Sequence, residues 1–312
     1  MRSDFRLFRR TVAVGVLFLS GMTLVTLALT SAVGATGSNA SQVSPSATPV
    51  TPLSGVKVLG WGFNGPSAVA SDSTHVWVAN ARGNSVTELS ASTGVLVKVI
   101  SGSSYGFNGP SAITSDGTHV WVANWGGQSV TELSASTGAL VRVIRGSSYR
   151  FNGPIAITLS GTHVWVANID GDSVTELSAS TGALVKVISG SSYGFDEPWA
   201  VTSDGIHLWV ANNGGNSVTE LSETTGALVK VIRGSSYGFK DMYAINSDGT
   251  HVWVANDGGN SVTELSASTG ALVKVIRDSS CKFNFPDAID SDGTDVWVAN
   301  DGAQSVTEFS AS

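Results

Sequence analysis

The stretch VWVAN at residues 76–80 decides the fold, because it returns five more times along the chain, once as LWVAN. Each copy lies 44 residues after the one before it, without an insertion. A fixed period of this length indicates a repeat architecture in which each copy is one supersecondary unit. The tryptophans that mark the six copies are Trp77, Trp121, Trp165, Trp209, Trp253 and Trp297.

One repeat contains four short β-rich stretches separated by turn residues. In the second copy these are residues 111–114, 119–124, 129–133 and 140–144, and Asp116-Gly117 predicts a two-residue hairpin turn between the first two. Four antiparallel strands in a repeat of this length are typical of a propeller blade, and several such blades close around a channel. The sequence therefore predicts an all-β fold, a six-bladed β-propeller of four-stranded antiparallel blades.

The two ends of the repeat array complement each other. The sixth copy begins at Pro286 and ends after its third strand, whereas residues 56–59 match a fourth strand that has no blade of its own. A strand that completes the last blade closes the ring and leaves no open sheet edge. We therefore expect residues 53–312 to form one propeller, closed by an N-terminal strand that completes the last blade.

Opposite charges recur at fixed places in the last two strands of the repeat. Each third strand carries a glutamate and each fourth strand a lysine or arginine, so cross-strand pairing would fix the register. The predicted pairs are Glu88 with Lys98, Glu132 with Arg142, Glu176 with Lys186, Glu220 with Lys230, Glu264 with Lys274, and Glu308 with Lys57 across the closure.

The first 52 residues differ from the repeats in composition. Four arginines (Arg2, Arg6, Arg9 and Arg10) precede an uncharged run over 11–35 that ends in small residues, which is typical of an export signal. The run is also long enough to span a bilayer. Residues 1–35 are thus predicted to be a signal peptide or an N-terminal membrane anchor, and the Ser/Thr/Pro-rich residues 36–52 a disordered linker. Both alternatives place the propeller outside the cytoplasm, secreted or tethered to the membrane.

Charge and cysteine content limit the partners and the means of stabilisation. The chain has 17 Lys and Arg against 24 Asp and Glu, and without residues 1–35 its net charge falls from −7 to −10. We expect no nucleic-acid partner, since nucleic-acid binding requires a basic surface. The single cysteine, Cys281, excludes an intrachain disulfide, so packing must stabilise the fold. We expect a monomer that meets a membrane only through its N-terminal segment.

The repeat VWVANWGGQSVTELSASTGALVRVIRG at residues 120–146 resembles the YVTN-type β-propeller repeat and is similar to the NHL-repeat and lactonase-like propellers. The resemblance covers residues 53–312. It implies the propeller architecture but not one function, because such propellers include surface proteins, binding modules and enzymes. The enzymes of this group use a few unlike polar residues in the central channel, often around a divalent metal.

The repeated polar residues show no catalytic pattern. The histidines occupy one position of five copies, where the sixth copy has Asp295, and this repetition predicts a structural role. No His/Cys cluster has the spacing of zinc ligands, and no serine lies in a G-x-S-x-G motif. The histidines are His75, His119, His163, His207 and His251.

The six copies differ mainly in two short connections. The turn between the second and third strands reads ARGN, WGGQ, IDGD, NGGN, DGGN and DGAQ, and the loop into the first strand reads NGPS, NGPS, NGPI, DEPW, KDMY and NFPD. Both connections lie at the same end of an up-and-down blade, so their divergence predicts a recognition face around the channel mouth, although exposed loops also vary freely. The candidate ligand-binding residues are Trp125, Asp170, Asp172, Glu197, Trp199, Lys240, Asp241, Tyr243 and Asp287.

Three functions remain open at this point. Aromatic and acidic groups around a concave mouth suit a binding module for a small polar molecule, a glycan, a cation or a protein. The alternative is a metal-assisted hydrolase or lyase in the central channel, with a divalent cation as cofactor and its centre at Asp287, Asp290, Glu197 and Asp241. The third is a structural surface protein. We expect binding rather than catalysis and assign no catalytic residue.

Overall fold

Six antiparallel β-sheets form a ring in the computed structural model, which describes residues 13–14 and 59–311. The protein is a six-bladed all-β propeller. From the first blade to the sixth, each inner strand contacts the inner strand of the next blade. They are β2 (Pro66–Ser71), β6 (Pro110–Ser115), β10 (Pro154–Ser160), β14 (Pro198–Ser203), β18 (Met242–Ser247) and β22 (Pro286–Ser291).

The remaining strands follow the predicted order outward from each inner strand. The second strands are β3 (His75–Asn80), β7 (His119–Asn124), β11 (His163–Asn168), β15 (His207–Asn212), β19 (His251–Asn256) and β23 (Asp295–Asn300). The third strands are β4 (Ser85–Ser90), β8 (Ser129–Ser134), β12 (Ser173–Ser178), β16 (Ser217–Ser222), β20 (Ser261–Ser266) and β24 (Ser305–Ser310). The fourth strands are β5 (Leu96–Ser101), β9 (Leu140–Ile144), β13 (Leu184–Ser189), β17 (Leu228–Arg233) and β21 (Leu272–Ile276).

Short 3₁₀ turns are the helical elements of the described chain. Five lie in the loops between blades, at Ser103–Tyr105, Ser147–Tyr149, Ser191–Tyr193, Ser235–Tyr237 and Ser279–Cys281. Two lie between second and third strands, at Ile169–Gly171 and Asp257–Gly259. Within residues 13–14 and 59–311, no helix has the length and apolar character needed to cross a bilayer.

Two residues of the N-terminal segment are described. Strand β1 (Ala13–Val14) pairs in parallel with Ala68 and Val69 of β2 and also approaches β22, so it lies on the inner side of the ring. The rest of the predicted signal peptide or anchor, and the predicted linker over 36–52, lie outside the described residues.

The core lies between neighbouring blades. Trp77 is fully buried and packs in one cluster with Val120, Val122 and Leu133 of the next blade. Trp121, Trp165, Trp209 and Trp253 are equally buried in the corresponding places. A tryptophan buries on the order of 150–250 Å², which at about 25 cal/mol per Å² stabilises each seam by about 4–6 kcal/mol before entropy is subtracted. The repeated tryptophan is therefore explained by packing.

Five predicted charge pairs are confirmed by the strand register. Glu220 lies opposite Lys230, and the other four pairs have the same register. The glutamates are more deeply buried than a surface pair would be: Glu132 is fully buried, and Arg142 Nε is 2.8 Å from its Oε2. Burial of Glu132, opposed by the charge of Arg142, raises the pKa of its carboxyl. The glutamates therefore lie inside the sheet, whereas their cationic partners are partly exposed.

The sixth blade differs from the others in its outer part. Its sheet contains three strands among the described residues, β22, β23 and β24. On β24, Val306 is 45% exposed, whereas the equivalent Val130 and Val174 are fully buried. Of the predicted closing strand at 56–59, residues 56–58 lie outside the described chain and Leu59 is described outside any strand.

The turn between the first two strands is wider than the predicted two-residue hairpin. In the second blade Gly117 has a φ of +80°, but Asp116 does not adopt a positive φ. Instead, the Asp116 carboxylate accepts hydrogen bonds from the backbone N–H groups of Thr118 at 2.7 Å and His119 at 2.6 Å. The aspartate thus fixes the turn through its side chain, as in an Asx turn.

The two variable connections do meet at one end of the ring, as predicted. In the fourth blade the Asn213 N–H donates to the Glu197 carbonyl at 2.9 Å, and in the second the Trp125 N–H donates to the Gly109 carbonyl at 3.0 Å. We call this the variable end, formed by the four-residue loops into the inner strands and the four-residue turns between second and third strands. The opposite end, with the turns that join the first to the second and the third to the fourth strands, is the constant end.

Candidate functional site

The second residue of each inner strand lies at the variable end and differs between blades. In the first two blades it is a serine with a structural role: Ser67 Oγ donates to the Pro110 carbonyl and Ser111 Oγ to the Pro154 carbonyl, both at 2.7 Å. Each bond joins one blade to the next. Around the ring this position is filled by Ser67, Ser111, Ile155, Trp199, Tyr243 and Asp287.

Trp199 and Tyr243 form an edge-to-face pair across the seam between the fourth and fifth blades. Their ring centroids are 4.7 Å apart and the rings are inclined by 81°. In the fourth blade the bond that serine makes elsewhere is replaced, because Asn213 Nδ2 donates to the Met242 carbonyl at 3.0 Å. The seam therefore keeps its hydrogen bond while Trp199 stands in the serine position. Both aromatic side chains are only partly buried.

A second tryptophan extends this aromatic surface. Trp125 packs with Trp199 against a cluster that contains the buried Ile155 and Ile169. The Trp125 Nε1 atom is buried and has no hydrogen-bond partner in the part of the chain that the structure describes. Blades two to five thus carry a continuous apolar and aromatic wall at the variable end.

In most blades one side chain fills the space between the loop into the inner strand and the turn between the second and third strands. We call this space the shared place. A Cβ atom on Gly65, the residue before the first inner strand, would lie 2.7 Å from Cγ of Arg82 in the adjacent turn. In the fifth blade the arrangement is reversed, because a Cβ on the turn residue Gly258 would collide with the Asp241 carboxylate. The occupants are Arg82 in blade one, Asp170 in blade three, Glu197 in blade four, Asp241 in blade five and Phe285 in blade six, each opposite a glycine; in blade four Asp196 comes closer still to the facing Gly214.

Three of these occupants adopt a backbone conformation that favours glycine. Glu197, Asp241 and Phe285 have φ values of 51°, 47° and 53°, while blades one to three have glycines at this position. The left-handed conformation costs a residue with a Cβ about 1–2 kcal/mol. Side chains are therefore held here although the backbone would favour their absence, which is a common property of functional positions.

Asp172, Lys240 and Asp287 have different surroundings. Asp172 Oδ1 accepts from the Glu197 N–H at 2.9 Å, as Asn84 Oδ1 does from Gly109 and Asn260 Oδ1 from Phe285. Asp172 thus makes a seam contact common to several blades. Lys240 is exposed, and Asp287 is partly buried on β22.

The four acids of the predicted metal centre do not converge. Asp290 lies three residues beyond Asp287 on β22, which is about 10 Å along a strand. Glu197 and Asp241 are in loops of the variable end on other blades. Among residues 13–14 and 59–311, no group of three or more Asp, Glu, His or Cys side chains could hold a metal ion. The donor set proposed from the sequence therefore does not fit a divalent cation.

Asp290 nevertheless has an unusual environment. It is buried, and Asn246 Nδ2 of the neighbouring inner strand donates to its Oδ1 at 2.9 Å. Burial, opposed by the Ser291 N–H and reinforced by the charge of Asp292, raises the pKa of Asp290 to about 8. The inner face of the ring thus contains a carboxyl group whose pKa lies far above its ordinary value.

The histidines belong to networks at the constant end. Asp248 Oδ2 accepts from Trp253 Nε1 at 3.0 Å and from Ser291 Oγ of the next blade at 3.1 Å, and it lies 3.4 Å from His251 Nδ1. Burial acts to raise the pKa of Asp248, but hydrogen bonds from Trp253 and from the backbone N–H groups of His251 and Thr250 hold it below 3.8. The sequence predicted that this aspartate forms a turn, but it did not predict that the aspartate accepts a hydrogen bond from the tryptophan indole. The signal for this second role is its position five residues before the tryptophan.

Two blades lack this link between aspartate and tryptophan. In the third blade Ser160 replaces the aspartate, and Trp165 Nε1 is left without a partner in the described chain. In the second blade Asp116 is present, but Leu159 stands where Ser115 and Ser291 bond the aspartates of other blades. Asp116 is more exposed there, and Trp121 Nε1 is also without a described partner.

Comparison with solved structures shows the same fold. A streptogramin B lyase has a TM-score of 0.64 at 19% identity, over 81% of this chain and 85% of that chain. A catalytically inactive virginiamycin B lyase from Staphylococcus aureus with quinupristin has a TM-score of 0.64 at 17% identity, over 78% of this chain and 80% of that chain. The WD40 propeller domain of Doa1 has 0.63 at 14% identity, over 79% of both chains. No protein-family model and no curated protein sequence matches the chain. At these identities the chain shares a propeller fold with lyases and with a WD40 domain.

Proposed function

We propose that this protein is a ligand-binding β-propeller of the YVTN type, exported from the cytoplasm and either secreted or tethered by its N-terminal segment. Its ligand binds at the variable end, on the aromatic surface formed by Trp125, Trp199 and Tyr243. A small polar molecule, a glycan or a peptide segment of a protein partner would fit this surface. Export is supported by the basic and then apolar composition of residues 1–35.

One observation carries the proposal. Trp199 occupies a position where the blade needs only a serine hydroxyl, and Asn213 supplies the seam hydrogen bond in its place. The Trp199 ring is thus not needed for the seam hydrogen bond, and both rings of the pair remain partly exposed. Partly exposed aromatic side chains around a concavity are the groups that dominate binding energy in recognition sites.

The test is the double variant Trp199→Ser/Tyr243→Ser, which restores the residue of the first two blades. We expect the melting temperature to change little, because the seam bond is made by Asn213. Binding to any hit from a panel of glycans and polar metabolites should weaken at least about tenfold. Ile206→Thr is the matched control, since it restores the repeat residue at the constant end and should leave binding unchanged. A double variant that unfolds several degrees earlier and binds as well as the parent would contradict the proposal.

Lyase or hydrolase activity is the second candidate, favoured by the raised pKa of Asp290 on the inner face of the ring. A carboxyl group whose pKa is near neutral can donate a proton to a leaving group and then regain one from water. Its test is turnover of cyclic ester substrates, with Asp290→Asn as the variant. Activity that survives this substitution would remove Asp290 from the reaction.

A further inference from the structure

We propose that the ligand of the variable end carries an organic ammonium group, with its charge beside Glu197 and Asp241 and its carbon substituents on the rings of Trp199 and Tyr243. This inference rests on the proposed binding function and names the chemical class of the ligand.

The aromatic pair provides the first part of the argument. An ammonium ion is attracted to the face of a tryptophan or tyrosine ring within about 6 Å, and its alkyl groups gain from contact with the same surface. The edge-to-face arrangement of Trp199 and Tyr243 presents one ring face and one ring edge at a single corner. Each ring lies on the innermost strand of its own blade, so the rigid sheet fixes their relative orientation.

Charge complementarity provides the second part. Glu197 and Asp241 precede Trp199 and Tyr243 by two residues, which is at most about 7 Å of chain. Asp170 occupies the equivalent place in the third blade. It comes from the turn between the second and third strands, whereas Glu197 and Asp241 come from the loops into the inner strands. Three consecutive blades thus present a carboxylate at equivalent places. The cation that fills this place, Arg82, lies on blade one, away from the aromatic pair.

The way these carboxylates are held supports a role beyond folding. Glu197 and Asp241 keep a left-handed backbone that glycine would adopt without strain, and glycine is the residue of blades one to three. The facing turn residues Gly214 and Gly258 leave room for the two side chains. A fold that needed only a closed loop would be served by glycine at both positions.

The same features argue against other ligand classes. An anionic ligand would meet carboxylates on three blades against a single lysine, Lys240. A metal ion would need three ligands in reach, and no such group exists in the described chain. A neutral ligand would use the rings but would gain nothing from the carboxylates.

The experiment compares two probes of equal shape and different charge, choline and its neutral isostere 3,3-dimethylbutan-1-ol. Binding to the full chain is measured by titration calorimetry. We expect choline to bind at least about tenfold more tightly than the isostere, with an affinity that falls as salt is raised. Glu197→Gly/Asp241→Gly should reduce choline binding to the level of the isostere and leave the melting temperature unchanged or higher. Phe285→Gly is the matched control, because it makes the same backbone change without removing a charge and should leave choline binding intact.

The outcomes separate this inference from the proposed function. If a neutral glycan binds and depends on Trp199 and Tyr243 while choline does not bind, the binding function stands and the ammonium inference is wrong. Equal affinity for the two probes also overturns it, as does choline binding that survives the double glycine variant. If the double glycine variant melts several degrees earlier, the carboxylates serve folding and the inference is again wrong.

Discussion

Departures from the repeat have different consequences at the two ends of the propeller. At the constant end, where Ser160 replaces the aspartate of the third blade, the Trp165 indole N–H has no partner in the described chain. At the variable end, two departures are each accompanied by a second change that accommodates them. Asn213 makes the bond that serine makes elsewhere, and Gly258 leaves room for Asp241.

Drift in an exposed loop explains single changes, but it does not explain why a side chain before the inner strand is matched by a glycine in the facing turn. Glu197, Asp241 and Phe285 each follow this pattern, facing Gly214, Gly258 and Gly302. The variable end is thus built to hold particular side chains, whereas the constant end holds the blades together.

The largest expected effect concerns the sixth blade, where the departure is a whole strand. If residues 56–59 complete this blade, deletion of residues 1–60 should expose the edge of β24 and greatly reduce the yield of soluble monomer. Deletion of residues 1–50 should not. Size-exclusion chromatography and thermal unfolding of the two shortened chains measure the difference. A 1–60 deletion that stays monomeric and unfolds no earlier than the 1–50 deletion would show that the ring closes in another way.

The architecture could be predicted from the sequence because the same strand pattern occurs six times. The strands of the second blade, the buried tryptophans and the pairs such as Glu220 with Lys230 were all predictable from periodicity and charge. The meeting of the two variable connections followed from topology alone. The adjacency of Trp199 and Tyr243 follows from their equivalent positions on neighbouring blades.

The remaining features depend on distances that a repeat does not encode. The left-handed backbone of Glu197 and the sharing of one place by Gly153 and Asp170 require coordinates. The alternative metal centre combined acids that lie at different heights along the ring. The repeat pattern and the residue types do not show how far Asp290 lies from Glu197. The hydrogen bond from Asn213 to Met242 was equally out of reach, because it crosses a seam between blades.

The second prediction tests the constant end through two equivalent aspartates. Asp248→Ala removes the acceptor of the Trp253 indole and of Ser291, and leaving such a buried donor unpaired costs about 1–3 kcal/mol. Asp116→Ala should cost less, because Trp121 is not bonded to that aspartate. Denaturant unfolding of the two variants measures the gap. Equal losses would mean that the indole bonds contribute nothing.

The pKa of Asp248 predicts how the stability loss of Asp248→Ala depends on pH. Because its folded pKa is below 3.8, the carboxylate stabilises the fold at higher pH, and this contribution is lost as the pH falls through that value. The stability difference between the parent and Asp248→Ala should therefore narrow at acid pH. A difference that stays constant down to acid pH would point to packing rather than to the charged hydrogen bonds.

The third prediction concerns Asp290, whose folded pKa is raised to about 8. A raised pKa favours the neutral form, so the stability of the parent should fall as the pH rises from the ordinary value of 3.8 towards 8. Asp290→Asn should remove that loss and be more stable than the parent in mildly alkaline solution. Because Ala13–Val14 approaches β22, we expect the gain to shrink in a chain that lacks residues 1–35. An Asp290→Asn variant with the same pH profile as the parent would contradict the raised pKa.

The smallest expected effect separates two histidines of the constant end. His119 Nε2 is 3.7 Å from the Glu132 carboxylate, beyond hydrogen-bond distance, whereas His163 Nδ1 is 2.7 Å from Glu176 in the blade that has lost its aspartate. His119→Asn should therefore cost no more than about 0.5 kcal/mol, and His163→Asn more, up to about 1 kcal/mol, because its ion pair is closer. Chemical unfolding of the two variants gives the ranking, and metal analysis should find the same content in both as in the parent. A larger loss of stability for His119→Asn than for His163→Asn would mean that His119 binds something other than Glu132. Loss of a stoichiometric metal with either substitution would mean that the repeated histidines do more than connect strands.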